Sequence, residues 1–310
     1  MRTLICGSLA FDSIMVFHDH FKNHILPDKI HILNVSFLVP DMRREFGGCA
    51  GNIAYNLKLL GGEPVIMATV GEDFSPYASR LEDLALTQEH VRPIHGSYTA
   101  QAFITTDFSD NQITAFHPGA MNHSHLNDVR SASDIRLGIV SPDGRDGMLS
   151  HCAQFEQAGI PFIFDPGQGL PLFNGEELLT MVRQADYVTL NDYEAQLLQA
   201  RTGKTLQQLS KEVSALIVTK GAEGADLFVQ DTAIPIPAAP VSEVVDPTGC
   251  GDAFRAGLLY GIVNDMDWET TGRLASLMGA IKIESRGGQN HAPSRLEIET
   301  RFAESFGYRI

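Results

Sequence analysis

Short, wholly apolar segments alternate with longer polar ones along this chain, and that alternation restricts the fold more than any other feature. Apolar runs of about four to eight residues indicate strands buried on both faces. Helix-length spacers between such runs indicate a parallel sheet covered by helices on each side. The segments that we interpret as strands are residues 3–10, 64–71, 137–140, 161–165, 187–191 and 216–219.

Polar residues follow several of these apolar segments. In open α/β sheets, ligands bind beyond the carboxyl ends of the parallel strands. The residues that come at or just beyond such ends are Asp12, Asp165, Asn191 and Lys220. We therefore expect the functional site along this edge of the sheet.

Two segments break the alternation and indicate a second, smaller layer. Residues 14–45 mix aromatic, proline and histidine residues without a helical period. Residues 97–118 read as two short strands joined by a polar turn at residues 109–112. We expect both segments to pair into one small sheet that forms a lid. A chain of 310 residues can bury one full core, so we predict a single domain, residues 1–310, that includes this lid.

Composition and charge argue against several classes of protein. A net charge of −15 argues against binding to nucleic acid, whose phosphates attract clustered lysine and arginine. No apolar run approaches the roughly 20 residues of a membrane helix, and the N-terminus does not resemble a signal peptide. We therefore expect a cytoplasmic protein. The cysteines at positions 6, 49, 152 and 250 form no C-x-x-C pair, so we expect reduced thiols.

The most informative motif runs from Asp246 to Asp252 with the sequence Asp-Pro-Thr-Gly-Cys-Gly-Asp. Its two glycines permit a tight turn, and a helical pattern follows. Such a turn directs backbone N–H groups and the positive end of a helix dipole at one point, which predicts an anion site. A carboxylate is useful there if it removes a proton from a hydroxyl group while the amides of Gly249, Cys250 and Gly251 hold a phosphoryl group. We therefore predict Asp252 as a catalytic base.

Four motifs, in the same order along the chain, resemble the signatures of the ribokinase-like (PfkB) carbohydrate and nucleoside kinases. The C-terminal signature D-T-x-G-A-G-D-x-F resembles residues 246–254, the N-terminal glycine pair resembles residues 47–52, N-x-x-E resembles residues 191–194, and T-x-G-x-x-G resembles residues 219–224. The resemblance implies a three-layer αβα domain, with a mostly parallel sheet and a small β-sheet lid. It also implies an ATP-dependent kinase that phosphorylates a hydroxyl of a small sugar-containing substrate.

The same resemblance implies which residues bind ATP and metal ions. The residues that it assigns to the ATP site are Asn191, Thr219, Gly221, Gly224, Gly249, Gly251 and Gly279. Mg²⁺ is an implied cofactor, with Glu194 acting through water, because Mg²⁺ normally keeps several water ligands. Potassium is a further implied cofactor, with ligands from Asp246, Thr248 and the turn at residues 285–289, which begins with Ser285.

Within the family, the chain most resembles bacterial adenosine kinases, at residues 7–12, 36–39, 118–121 and 165–169. This resemblance implies phosphorylation of the 5′-hydroxyl of adenosine to AMP. Asp12 would hold the ribose hydroxyls with support from Gly48 and Asn52, the lid residues Phe103 and Phe116 would cover the purine, and Gln168 would lie near the base. Both a monomer and a homodimer through the lid are compatible with the sequence.

The residues alone leave alternatives open. The turn before Asp252 can be an ordinary strand-to-helix connection, in which the acid only stabilises the first helical turn. The acceptor can be ribose, fructose or a nucleoside other than adenosine. A nucleotide or sugar sensor without catalytic activity is an alternative of a different class, although a sensor has no need of a base.

Overall fold

The structure, a computed structural model, describes residues 1–25, 32, 34–109, 111–230 and 232–310. The strands are β1 (Arg2–Cys6), β2 (Ala10–Val16), β3 (Asp41–Gly47), β4 (Glu63–Val70), β5 (Thr87–Pro93), β6 (Ala100–Thr106), β7 (Gln112–His117), β8 (Ile135–Val140), β9 (Phe162–Phe164), β10 (Tyr187–Asn191), β11 (Ala215–Thr219), β12 (Ala225–Val229) and β13 (Thr232–Ile236). The helices are α1 (Cys49–Leu59), α2 (Ser75–Asp83), α3 (Arg145–Ala158), α4 (Gly175–Gln184), α5 (Asp192–Thr202), α6 (Leu206–Leu209), α7 (Cys250–Val263), α8 (Trp268–Ile283) and α9 (Arg295–Phe306). None of the helices in these ranges is long and apolar enough to cross a membrane.

A nine-stranded sheet forms the centre of the described structure, in the order β13-β12-β11-β10-β9-β8-β1-β4-β5. The pairs from β5 to β11 are all parallel, whereas β12 and β13 pair antiparallel at one edge. This arrangement confirms the predicted sheet, and six of its parallel strands overlap the apolar segments of the sequence. Buried parallel strands need apolar side chains on both faces, which is why these segments read as continuous runs.

Helices cover both faces of the large sheet. Alternate residues of one strand contribute to two separate cores: Ile217 packs in the core with α1, α2, α7 and α8, while its neighbours Leu216 and Val218 pack in the core with α3, α4 and α5. This follows from the two-residue period of a strand, which sends successive side chains to opposite faces. The result is the predicted αβα layering.

The small sheet has the strand order β3-β2-β6-β7. Strand β6 pairs antiparallel with β7 as the predicted hairpin and parallel with β2, and β2 pairs antiparallel with β3. The small sheet begins at Ala10 and not near residue 14, so Asp12 lies inside a strand of this sheet and not in a turn after β1. Residues 26–31, 33 and 110 of the predicted lid lie outside the described residues.

Candidate active site

Asp252 lies in the first turn of α7, as the motif predicted. The helix is preceded by Gly249, whose backbone adopts a left-handed conformation with φ of +78°. A residue with a side chain is strained in this conformation, so glycine is required for the chain to turn into the helix here. The turn places the backbone N–H groups at the start of α7 beside the carboxylate, at the positive end of the helix dipole.

The Asp252 carboxylate is fixed from the side of α1. The Asn52 amide nitrogen donates to Asp252 Oδ2 at 2.8 Å. Gln289 Nε2 in turn donates to Asn52 Oδ1 at 3.2 Å and to the Tyr77 hydroxyl at 2.8 Å. Removal from water raises the pKa of Asp252 to about 6, although the bond from Asn52 lowers it. A carboxyl group with this pKa is ionised at neutral pH and is a stronger proton acceptor than an exposed aspartate.

A buried arginine connects α7 to two neighbouring strand ends. The Arg255 guanidinium donates two hydrogen bonds of 2.9 Å to the Asp165 carboxylate, which follows β9. It also lies 4.0 Å from Glu194, in the first turn of α5 after β10. Arg255 and Asp165 are both almost completely buried. Burial opposes the charge of Arg255, but the Asp165 carboxylate outweighs it and raises the pKa of Arg255.

The small sheet presents Asp12 to the same region. Gly47 and Gly48 connect β3 to α1 beneath it, and a Cβ at Gly47 would lie 2.4 Å from Asp12 Oδ2. At Gly48, φ is +86° and a Cβ would lie 2.5 Å from the Ser8 carbonyl oxygen, so the chain can pass here only as glycine. Burial raises the pKa of Asp12 to about 6, with additional repulsion from Glu45 and Asp246.

Strand register separates the two predicted purine-covering phenylalanines. Ala102 of β6 pairs with Asp12 on one side and with Phe116 on the other, so Asp12 and Phe116 share one face of the small sheet. Phe103 is the next residue along β6 and pairs with Ser13, so it belongs to the opposite face. The prediction that Phe103 covers the same ligand as Asp12 is therefore wrong.

The N-x-x-E segment forms a capping box at the start of α5. Asn191 Oδ1 accepts the Glu194 N–H, and Glu194 Oε2 accepts the Asn191 N–H, both at 2.8 Å. Burial raises the pKa of Glu194, and Asp165 adds to the effect. In the described part of the chain, no group of three His, Cys, Asp or Glu side chains could hold a metal ion by itself. Because its two oxygens already bind Asn191, Glu194 fits a role through water better than direct coordination of Mg²⁺.

The predicted ATP residues lie along the same edge of the large sheet. Asn191 pairs directly with Thr219, so the ends of β10 and β11 are adjacent. Gly221 and Gly224 flank the short turn between β11 and β12. A Cβ at Gly279 of α8 would lie 3.5 Å from the Cys250 carbonyl oxygen, which places α8 against the start of α7. Gln168 is exposed in a 3-10 helix that follows Asp165.

The groups that were proposed to bind potassium already have hydrogen-bond partners within the protein. The Lys282 ammonium donates to the Asp246 carbonyl oxygen at 2.7 Å and to the Ser285 carbonyl oxygen at 2.8 Å. The Asp246 carboxylate accepts the N–H groups of Thr248 at 2.9 Å and of Gly287 at 2.8 Å. Burial alone would raise the pKa of Asp246, but these two bonds outweigh it and lower the pKa. A positive charge already lies where the cation was expected.

Sequence reasoning did not assign a role to three side chains of this site, Tyr77, Arg255 and Lys282, and it placed Gln289 only in the turn expected to bind potassium. The strongest signal available was Arg255, which follows Asp252 by three residues on α7 and is one of few charged residues in an otherwise apolar helix. Its partner Asp165 is distant in sequence, so no local pattern could join the two.

A glycine-started helix that carries a half-buried carboxylate, with a second carboxylate presented by a small sheet, is an arrangement suited to transfer of a phosphoryl group to a hydroxyl. Residues 9–295 match the model of the pfkB family of carbohydrate kinases. The chain belongs to this family, whose members are phosphotransferases with an alcohol group as acceptor.

The relatives include proteins named as nucleoside kinases and proteins named as sugar kinases. Three comparisons with nucleoside kinases follow. A structure of Burkholderia thailandensis nucleoside kinase in complex with inosine has 55% identity and a TM-score of 0.91, over 99% of each chain. A structure of the same protein with ADP and inosine has 56% identity and a TM-score of 0.88, over 99% of this chain and 97% of that one. The nucleoside kinase of Methanocaldococcus jannaschii is 32% identical over 84% of this chain and 86% of its own length.

Proposed function

We propose that this chain is a nucleoside kinase that transfers the γ-phosphoryl group of ATP to the 5′-hydroxyl of a purine nucleoside, with adenosine as the expected acceptor. The observation that carries the proposal is the placement of Asp252: its carboxylate is fixed by Asn52 at 2.8 Å and lies at the positive end of α7. The inosine complex of the 55% identical relative favours a nucleoside over a free sugar and makes inosine the second candidate.

The acceptor binds between the small sheet and the start of α7. Asp12 accepts hydrogen bonds from the ribose 2′- and 3′-hydroxyls, which orients the primary hydroxyl toward Asp252. Phe116, on the same face as Asp12, covers the base. Gly48 and Asn52 form the opposite wall, because they lie at the start of α1, where Asn52 donates to Asp252.

The chemistry requires one proton transfer and one displacement. Asp252 takes the proton of the 5′-hydroxyl as the hydroxyl oxygen forms a bond to the γ-phosphorus and the bond from that phosphorus to the β–γ bridging oxygen breaks. The amides of Gly249 and Gly251 stabilise the charge that develops on the γ-phosphoryl oxygens, whereas the Cys250 N–H donates to the Pro247 carbonyl at 3.2 Å within the turn. Magnesium, when bound, neutralises phosphate charge, and Glu194 would orient one of its waters. Positioning and charge stabilisation account for most of the catalysis in reactions of this type.

A panel of acceptors tests the proposed function. ADP release is measured with adenosine, inosine, guanosine, uridine, ribose and fructose at equal concentration, with an acceptor-free reaction as control. We expect the highest kcat/KM with adenosine or inosine, and ADP release that depends on the acceptor. Turnover of ribose or fructose without turnover of any nucleoside would refute the proposal, as would ADP release that is independent of every acceptor.

A further inference from the structure

Lys282 has an unusual environment for a lysine. It lies in the last turn of α8, where a lysine side chain normally extends into water, yet it is completely buried. Among the described residues it is the only fully buried lysine. Burial of an ammonium group is costly unless hydrogen-bond acceptors compensate for the lost water, so its acceptors indicate what the charge does.

The acceptors of Lys282 are backbone carbonyls from two different loops. The Asp246 carbonyl, at 2.7 Å, belongs to the loop that leads into α7, and the Ser285 carbonyl, at 2.8 Å, belongs to the turn after α8. A small monovalent cation would bind to oxygens of this kind. An ammonium group is a compact point charge with three donors, so it can occupy a cluster of carbonyl oxygens in the same way.

The two loops are joined by further hydrogen bonds around this charge. The Asp246 carboxylate accepts N–H groups from both loops, at Thr248 and Gly287. The N–H groups of Val245 and Asp246 donate to the Ile283 carbonyl at 2.9 Å and 3.0 Å. Burial lowers the pKa of Lys282, while Cys250 and Asp246 oppose that change. The ammonium therefore lies at the junction that holds the turn before Asp252 in place.

We propose that the Lys282 ammonium takes the place of a bound monovalent cation in this kinase, so that the enzyme is independent of K⁺ and Lys282 acts as a positioning residue for the turn before Asp252. The predicted effect of Lys282 on the reaction rate rests on the proposed kinase function. The predicted effect of Lys282 on the stability of the fold does not depend on that function. The side chain makes the positive charge a permanent part of the protein, and removal of the side chain should create a requirement for an external cation.

The test compares wild type, Lys282→Ala and Lys282→Met in choline, sodium and potassium chloride at one ionic strength. The melting temperature without substrates and kcat for the best acceptor are both measured. Wild type should show equal rates within about twofold and equal melting temperatures in all three salts. Lys282→Ala in choline should melt about 5 °C lower and turn over at least about tenfold more slowly, with both losses partly reversed by K⁺. Lys282→Met fills the space without a charge and should stay impaired in every salt.

Lys58→Ala is the matched control, because it removes one lysine from the exposed end of α1 and should behave as wild type in each salt. Activation of wild type by K⁺ of about fivefold or more over choline would overturn the proposal. A Lys282→Ala protein that equals wild type in choline, or that is impaired and does not respond to K⁺, would overturn it as well. If no acceptor is turned over, the proposed function fails, and the melting temperatures still decide the role of Lys282.

Discussion

The turn before α7 and the small sheet both contribute a carboxylate to the site, but the two regions are built differently. Asp252 lies within a network that includes Asn52, Gln289 and the buried Arg255–Asp165 pair. Asp12 lies on a sheet whose outer strand β7 is exposed along its whole length, and Phe116 on that strand is 52% exposed. Under the proposed function, we expect the chemistry to be performed at the buried, hydrogen-bonded turn before α7, and the acceptor to bind on a surface that the ligand itself completes.

Removal of the proposed base should have the largest effect. Asp252→Asn keeps the shape of the side chain and removes its ability to accept the proton, so kcat should fall by about 10²–10⁴-fold. Acceptor and ATP affinities, measured by calorimetry, should change by less than about threefold. Asp146→Asn is the control, because Asp146 is an exposed acid in the first turn of another helix, α3. An Asp252→Asn protein with wild-type turnover would show that another group is the base.

The second prediction concerns the buried ion pair. Arg255→Met leaves the Asp165 carboxylate buried without its partner, so the free energy of unfolding should fall by about 3–5 kcal/mol. Denaturant unfolding measures this loss. In the double variant, Asp165→Leu removes the unpaired charge and should recover most of the lost stability. The kcat of the double variant should stay below that of wild type, because the contact between Arg255 and Glu194 is still absent. An Arg255→Met protein as stable as wild type would contradict a structural role for the pair.

The third prediction follows from the raised pKa values of Asp252 and Asp12, each about 6. Asp252 must be ionised to accept a proton, and Asp12 must be ionised to accept two hydrogen bonds from the ribose. Both groups lose the required charge as the pH falls through 6, so kcat/KM should decline below that value. The decline should approach a hundredfold per pH unit in wild type and about tenfold per unit in Asp12→Asn. A profile that is flat from pH 7.5 to pH 5 would exclude both roles.

The smallest effect should come from the phenylalanine that the small sheet presents to the acceptor. Phe116→Ala should raise KM for the nucleoside by about five- to tenfold and leave kcat nearly unchanged, at the low end of the roughly 1–3 kcal/mol that stacking on a base contributes, because Phe116 is 52% exposed. Phe103→Ala is a matched control, because it removes the same side chain from the opposite face. Its KM should stay within about twofold of wild type. Equal effects of the two changes would mean that the sheet does not select the acceptor through one face.

The sequence predicted the parts of this structure that depend on local pattern. The strands β8 to β11 appear in the sequence as apolar runs. The glycines before α1 and α7 mark turns in the sequence, since the backbone at these positions adopts a positive φ that favours glycine. The strand that carries Asp12 was misplaced, because an apolar run does not show where one strand ends and the next begins. Period-two alternation could have separated Phe103 from Phe116 only if the register of β6 and β7 with β2 had been known.

Contacts between residues distant in sequence could not be predicted. Arg255 pairs with a carboxylate 90 residues earlier in the chain, and Gln289 reaches Asn52 and Tyr77 over more than 200 residues. Lys282 could not be distinguished from an exposed lysine at a helix end, since the helix dipole favours a lysine in the last turn and the sequence does not show that its side chain is buried. The potassium hypothesis was framed without this contact, because the sequence does not show that the Lys282 ammonium binds the Asp246 and Ser285 carbonyl oxygens.

The most direct test of the account is to identify the oxygen that receives the phosphoryl group. In the proposed mechanism, the small sheet holds the ribose so that its primary hydroxyl lies at the Asp252 carboxylate. Phosphorus NMR of the product from ATP and adenosine should therefore show the nucleoside 5′-monophosphate alone, and 5′-deoxyadenosine should bind without being phosphorylated. Formation of a 2′- or 3′-phosphate would contradict the placement of the acceptor between Asp12 and Asp252. Release of inorganic phosphate with 5′-deoxyadenosine at the rate at which adenosine is phosphorylated would contradict it as well.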